Sequence, residues 1–181
     1  MEEEKKIDDD PVFSKKVLEM ITVANEYCHF LEKAADYPIK EFLGFLQKIM
    51  PLLYLKASLL PDIEVTDEDA TEHYVTEEEW EAMFNELRLK LAPYDLYLYL
   101  DHDPNNNTEP LRGSIAESVT DIYQDLKDFL LLYQKPLKIF KECAVRDCRH
   151  LFETRYGFRI LDVMNAVHNS LYQPSGTEAD Y

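Results

Sequence analysis

The stretch from Phe42 to Leu60 reads FLGFLQKIMPLLYLKASLL, and apolar side chains cover most of the circumference of a helix built from it. A helix that is apolar nearly all round is normally surrounded by other helices. Lys48, Pro51 and Lys56 interrupt the run of about 20 mostly apolar residues that a membrane span needs. We therefore predict the central helix of an all-α bundle. Pro51 bends or divides this helix, because an interior proline removes a helical hydrogen bond.

The composition favours one folded domain and limits the classes of partner. The chain has 181 residues, of which 46% are hydrophobic, and this is enough for a core without metals or disulfides. The net charge of −17 disfavours nucleic acid and anionic membranes as partners, because both are themselves negatively charged. The charged N-terminus is unlike a signal peptide, and the three cysteines show no CxxC spacing. We therefore expect a cytoplasmic protein.

Apolar residues recur at spacings of three and four in most segments, and this periodicity is typical of helices. Thr76-x-x-Glu79 and Ser114-x-x-Glu117 match the capping box that begins a helix. Gly157 suits the cap that ends one. We predict a single domain over residues 1–181, with frayed tails at 1–10 and 173–181. The bundle has about six helices: one from about Pro11 to Ala35, the central one from Pro38, one from Thr76 to before Pro93, and three over Ser114–Tyr133, Leu137–Tyr156 and Phe158–Tyr172.

The segment Tyr94–Asp103 (YDLYLYLDHD) differs from the rest because its leucines and tyrosines alternate with a period of two. Such alternation is typical of a strand, but no second segment has the same pattern. We therefore predict an extended chain packed across the bundle, followed by turns from Pro104 to Gly113. No sheet of three or more strands is expected.

An acidic stripe runs along the predicted fourth helix: Glu117, Asp121, Asp125 and Asp128. Like charges four residues apart destabilise a helix unless a cation compensates them. In one interpretation Glu117, Asp121 and Asp125 hold Mg²⁺ for the hydrolysis of a phosphate ester or anhydride. In the other, the next helix packs antiparallel and places Arg149 near Asp121. The same packing places Arg146 near Asp125, and we favour these structural ion pairs over a metal site.

Lys56 and His168 are candidates for a ligand contact or a buried polar group. Lys56 falls within the apolar surface of the central helix whichever way Pro51 sets the helical phase. Its ammonium either reaches water from a packed stem or is buried against a carboxylate, for which Asp125 is the candidate. His168 lies on the apolar face of the last helix, where a lone histidine is more often a hydrogen-bonded core residue than a catalytic one.

Two acid-x-x-His pairs, Glu26-x-x-His29 and Asp147-x-x-His150, resemble the ligand pairs of di-iron helical bundles. At about 100° per residue, Glu26, His29 and His150 point away from the apolar faces of their helices, whereas bundle ligands must point inward. The chain also lacks a glycine-rich phosphate loop and a nucleophile motif. We therefore predict no cofactor.

Three segments resemble one uncharacterised bacterial family, domain of unknown function 5063. They are ANEYCHFLE (Ala24–Glu32), LLYLKASLLP (Leu52–Pro61) and SVTDIYQDLKDFL (Ser118–Leu130). The resemblance implies a helical fold and no particular activity. Members of the family tend to carry Trp-Gly where this chain has Tyr156-Gly157.

The sequence alone leaves the function unknown and favours a non-enzymatic helical module that binds a protein or a small ligand. The alternative is a metal-dependent phosphohydrolase that uses the acidic stripe. The two differ in one geometric respect. The enzyme needs carboxylates that converge on a cavity, whereas the module pairs them with arginines.

Overall fold

The computed structural model describes residues 10–65, 70–101, 105 and 109–173. These residues form a helical bundle with one two-stranded hairpin. The helices are α1 (Lys15–Glu32), α2 (Ile39–Ser58), α3 (Glu77–Leu91), α4 (Ile115–Tyr133), α5 (Lys138–Leu151) and α6 (Gly157–Tyr172). The strands are β1 (Leu96–Tyr99) and β2 (Leu111–Ser114).

The predicted all-α bundle is confirmed, but its centre is α4 rather than α2. Fourteen of the 19 residues of α4 are buried, against seven of the 20 residues of α2. α4 packs against α1, α3, α5 and α6, whereas α2 packs mainly against α1 and α6. Leu52 and Leu55 of α2 remain exposed, as does Leu59 at its C-cap.

The helix boundaries follow the capping signals. At the start of α3, the Glu79 N–H donates to Thr76 Oγ1 at 3.2 Å and the Thr76 N–H donates to Glu79 Oε2 at 2.9 Å, which completes the predicted capping box. At the start of α4, Ser114 Oγ accepts from the Glu117 N–H at 3.1 Å. There the carboxylate of Asp95, rather than that of Glu117, accepts a second N–H, from Ala116. α2 continues through Pro51 as one helix.

The prediction that Tyr94–Asp103 lacks a strand partner is wrong. β1 pairs with β2 in antiparallel register, from Leu96 opposite Ser114 to Tyr99 opposite Leu111. The partner strand, LRGS, has no alternating pattern, so its sequence does not predict a strand. Its glycine has a packing role: a Cβ on Gly113 would lie 2.5–2.8 Å from the ring of Tyr97, its cross-strand neighbour. The described residues contain no larger sheet.

The prediction that a glycine cap separates α5 from α6 is wrong. The two helices are joined by a π turn at Phe152–Tyr156. Gly157 has ordinary right-handed helical angles (φ −59°, ψ −43°), and its N–H donates to the carbonyl of Phe152. This bond from residue i to i−5 defines a π turn. The helical chain therefore runs unbroken from Lys138 to Tyr172.

The predicted frayed tails fall almost entirely outside the described residues. Of the two tail residues that are described, Asp10 accepts from the Val12 N–H and pairs with Lys138 Nζ at 2.6 Å. Gln173 caps the last helix, and its N–H donates to the carbonyl of Asn169. In the part of the chain that the structure describes, no helix combines the length and apolarity needed to cross a membrane.

The π turn predicts opposite effects of alanine at two helical glycines. A Cβ at Gly157 would clash with the Phe152 carbonyl oxygen, a backbone atom that cannot move away alone. Gly157→Ala should therefore lower the free energy of unfolding by about 1–3 kcal/mol. Gly44→Ala is the control, because a Cβ there meets nothing within 4 Å and should stabilise α2 by about 0.5–1 kcal/mol. Urea denaturation measures both, and a neutral or stabilising Gly157→Ala would contradict the prediction.

Candidate functional site

Three aspartates of α4 form an aspartate row: Asp121, Asp125 and Asp128, each less than a tenth exposed. Spacings of four and three residues place them on one face of the helix. Glu117, the fourth member of the predicted acidic stripe, is exposed to solvent. A carboxylate taken out of water destabilises the fold unless hydrogen bonds or cations compensate it. The partners of the row therefore determine what the site can do.

Asp121 binds two side chains from different elements. Its Oδ1 accepts from the indole N–H of Trp80, in α3, at 2.8 Å. Its Oδ2 pairs with Arg159 Nη2, in α6, at 2.6 Å. The Arg159 side chain is 33% exposed, and it also lines a surface cavity.

Asp125 pairs with Arg155 Nη2, in the π turn, at 3.3 Å. Its other oxygen, Oδ2, is buried and has no hydrogen-bond partner among the described residues. Burial raises the pKa of Asp125 to about 6, the charge of Arg155 opposes the rise, and Asp121 adds to it. Arg155 is 40% exposed, so it also presents part of its guanidinium to the surface.

Asp128 binds residues 73–75 of the segment that precedes α3. Its Oδ1 accepts from the N–H groups of Tyr74 and Val75 at 2.8 and 3.0 Å. Its Oδ2 lies 3.0 Å from His73 Nδ1. Thr71 in the same segment donates to Asp147 of α5 at 2.7 Å. This end of the segment is thus attached to the bundle rather than solvated as a free loop.

The two arginines predicted to pair with the aspartate row bind elsewhere. Arg146 pairs with its neighbour Asp147 at 2.8 Å. Arg149 pairs with Glu153 at 3.0 Å and with Asp62 at 3.7 Å. Arginine does compensate Asp121 and Asp125, but the arginines lie 10 and 9 residues further along the chain than predicted, at Arg159 and Arg155. The prediction placed a cap at Gly157, whereas the π turn carries the helix on and brings Arg155 and Arg159 beside α4.

Lys56 pairs with a carboxylate, but the carboxylate is that of Glu19 in α1 and not that of Asp125. The Lys56 Nζ lies 2.8 Å from Glu19 Oε2, and the two side chains are 22% and 35% exposed. The hydrogen bond from Lys56 lowers the pKa of Glu19. The pair therefore lies at the edge of the α1–α2 contact. Its partial exposure is intermediate between the two predicted alternatives, an ammonium that reaches water and an ammonium buried against a carboxylate.

His168 is exposed and lies outside the core, contrary to the prediction. Its ring lies 4.8 Å from the ring of Tyr172, one turn further along α6. The buried side of α6 runs through Ile160, Val163 and Val167, which leaves His168 on the neighbouring solvent-facing side.

The geometry does not favour a metal centre. Glu26, His29 and His150 are exposed, as the helical wheel predicted. Asp121 and Asp125 pair with arginines, and Glu117 is exposed to solvent. Among the described residues, no group of three or more His, Cys, Asp or Glu side chains is placed to hold a metal ion.

The guanidinium groups of Arg155 and Arg159 reach an arginine groove of about 440 Å³ between the hairpin, the start of α4 and the π turn. Arg112 of β2 is the third arginine in its lining. The remaining lining residues are aromatic, hydroxyl-bearing or acidic: Tyr97, Tyr99, Phe158, Ser114, Ser118, Thr154, Glu117 and Asp162, with Gly113. Sequence reasoning missed this groove, although Arg155 and Arg159 have the i, i+4 spacing that places two side chains on one face of a helix.

A second unusual surface is the leucine face, formed by Leu89, Leu96, Leu98 and Leu100. These side chains are 81%, 70%, 63% and 52% exposed. Leu89 and Leu96 line one shallow cavity, and Leu96 and Leu98 line another against α6. Because side chains alternate along a strand, the leucines of β1 lie on the side opposite Tyr97 and Tyr99.

Asp125 predicts a pH dependence of stability. Its carboxyl titrates near 3.8 when unperturbed and near 6 in the fold. Between these pH values the folded state keeps a proton that the unfolded chain has lost. The stability that this proton provides is therefore complete below the unfolded pKa of 3.8 and is lost as pH rises through the folded pKa of about 6. Relative to Asp125→Asn, the wild type should lose about 2–3 kcal/mol between pH 4 and pH 7. Urea denaturation across this range measures the difference, with the exposed Asp36→Asn as control. Parallel curves for wild type and Asp125→Asn would contradict the assignment.

The ion pairs predict that divalent cations do not stabilise the fold. A ligand that binds only the native state must raise the melting temperature. Millimolar Mg²⁺ or Mn²⁺ should therefore leave the melting temperature unchanged in a thermal denaturation experiment. A rise that disappears in Asp121→Asn would instead support the hydrolase alternative.

Comparisons with known proteins agree with the helical fold. Residues 11–173 match the model of a family described as domain of unknown function 5063, which confirms the resemblance seen in the sequence. The crystal structure of protein BF1032 from Bacteroides fragilis, a structural genomics target, has 35% sequence identity and a TM-score of 0.82. The match covers 93% of this chain and 100% of that one. The comparison with curated proteins found no match.

Proposed function

The chain belongs to the family described as domain of unknown function 5063, and on that premise we propose that it is a non-enzymatic, cytoplasmic module that binds a protein partner through the leucine face. The observation that carries this proposal is the exposure of four neighbouring leucines, each more than half accessible. Scattered exposed leucines are normal on a protein surface, whereas a contiguous apolar patch usually marks a contact site.

The hairpin adds a second reason for a protein partner. A two-stranded sheet leaves one edge of each strand without a main-chain partner in the sheet, and such edges accept an extended segment from another protein. A partner that docks here covers Leu96 and Leu98 and pairs along β1. We expect it to present apolar side chains flanked by Lys or Arg, because this chain carries a net charge of −17 and complementary charge speeds association.

The cytoplasmic assignment is supported by the cysteines. Cys28, Cys143 and Cys148 are buried and form no disulfide. Burial raises the pKa of Cys28 and of Cys148 to about 12, so these thiols stay protonated and behave as core residues. A protein built for an oxidising compartment more often uses its cysteines as crosslinks.

The alternative hydrolase has less support. Its three proposed carboxylates do not converge: Asp121 and Asp125 are occupied by Arg159 and Arg155, and Glu117 is exposed. A phosphohydrolase of this kind needs its carboxylates free to coordinate the metal that binds the phosphate oxygens.

The leucine face predicts the loss of one specific partner on substitution. The tagged full chain is used to capture proteins from a lysate of the native organism. The capture is repeated with Leu96→Ser/Leu98→Ser and with Leu137→Ser, a control leucine that is 60% exposed at the start of α5. A true partner should bind the wild type and the control but bind the double variant at least about tenfold more weakly, because two apolar contacts become polar.

The captured protein is then purified, and calorimetry measures its dissociation constant with the same three forms. Far-ultraviolet circular dichroism checks that each variant is folded. A partner that binds the double variant as tightly as the wild type would contradict the proposal. Self-association of the wild type through the same leucines, detected by sedimentation, would also contradict it, since the face would then join two copies of this chain.

A further inference from the structure

The arginine groove lies on the other side of the hairpin from the leucine face and carries a separate inference. Its volume of about 440 Å³ is in the range of sites that enclose small molecules. Two features set it apart from an ordinary surface cleft. Three arginines line it in a strongly acidic protein, and two of them are held in place from behind by buried carboxylates.

The pairing with α4 orients these two arginines without using all their donors. A guanidinium has five N–H donors in a rigid planar fork. The ion pairs with Asp125 and Asp121 each involve the Nη2 atom of the arginine. The remaining donors of Arg155 and Arg159 lie on side chains that are 40% and 33% exposed. Buried carboxylates that fix the orientation of a binding group reduce the entropy lost when a ligand binds.

Hydroxyl groups add further polar contacts near the start of α4, whose own N–H groups at Ala116 and Glu117 are already bonded to Asp95 and Ser114. Tyr97 Oη lies 3.1 Å from Ser118 Oγ, in the first turn of α4. The first turn of a helix presents the positive end of its dipole. Tyr97, Tyr99 and Phe158 supply aromatic surface to the same groove, which suits a ligand with a flat apolar part.

The acidic residues limit the charge of the ligand. Arg112, Arg155 and Arg159 supply three positive charges. Glu117 and Asp162 line the same groove, and Asp121 and Asp125 lie behind the guanidiniums. The local balance is therefore close to neutral or slightly negative, which disfavours a dianion such as a phosphate monoester. A single carboxylate matches the geometry of an arginine fork through two parallel hydrogen bonds.

We infer that the arginine groove binds a small aromatic monocarboxylate, whose carboxylate pairs with Arg155 and Arg112 and whose ring packs on the tyrosines of β1. This site is independent of the leucine face, so either assignment can fail without the other.

Benzoate tests the inference as a minimal probe, and benzamide is its uncharged counterpart of nearly the same shape. The ¹⁵N-labelled full chain is titrated with each compound, and backbone and arginine Nε–H signals are followed by nuclear magnetic resonance. Benzoate should produce saturable shifts at Gly113, Ser118, Arg155 and Arg159, whereas benzamide should produce none. Equal responses to the two compounds, or benzoate shifts that do not saturate, would overturn the inference.

Two variants and two controls locate the binding. Arg155→Lys keeps the charge beside Asp125 but removes the planar fork, and Arg112→Gln changes an exposed side chain whose loss leaves the core intact. Each should weaken benzoate binding about tenfold, the effect of losing a charge-assisted hydrogen bond. Arg88→Gln, an exposed arginine of α3, and Leu96→Ser/Leu98→Ser should leave it unchanged.

Unchanged affinity in Arg112→Gln would refute the site even if Arg155→Lys proved unfolded by circular dichroism. Phenyl phosphate measures the charge preference. It should bind more weakly than benzoate, and tenfold tighter binding of phenyl phosphate would overturn the monocarboxylate assignment.

Discussion

The packing of this protein depends on the compensation of three carboxylates buried in its central helix. Asp121, Asp125 and Asp128 lie among the apolar side chains of α4, where an ionised group without partners would be strongly unfavourable. Their partners come from four separate places: the indole of Trp80 in α3, the backbone before α3, the π turn and α6. Each partner element must therefore contact α4 at one particular position along the helix axis. Apolar contacts alone would tolerate sliding by a turn, whereas these directional bonds do not.

The helices could be predicted from the sequence because their signals are local. Capping groups at Thr76 and Ser114 act within three residues of the helix start, and apolar periodicity extends over each helix. The hairpin could not be predicted in the same way, because strand pairing joins residues far apart in sequence and LRGS carries no alternation. Gly113 is the local sign of a strand in LRGS. The need for glycine there follows only from the ring of Tyr97, which lies opposite it in the paired strand.

The sequence predicted that arginines pair with the aspartates of the candidate site, but it did not predict which arginines. Like charges at intervals of about one turn required cations, and arginine does supply them at Asp121 and Asp125. Which arginine depended on the path of the chain after α5, and a π turn has no sequence signature comparable to a cap. Lys56 illustrates the same limit: its need for a carboxylate followed from the apolar surface around it, but the choice of Glu19 depended on how α1 packs on α2.

The π turn also constrains how the length of this chain can vary. A π turn holds about one residue more than an α turn, so removal of one residue between Phe152 and Tyr156 would restore a regular helix. The same deletion would leave the following helix in nearly the same phase, because five residues of a π turn rotate the chain about as far as four residues of an α-helix. Insertions and deletions are normally tolerated in loops and rejected where they shift the faces of a packed helix. Related chains should therefore differ in length before α3 and around the hairpin turn, whereas between α5 and Arg159 they should differ only by the one residue that the π turn accommodates.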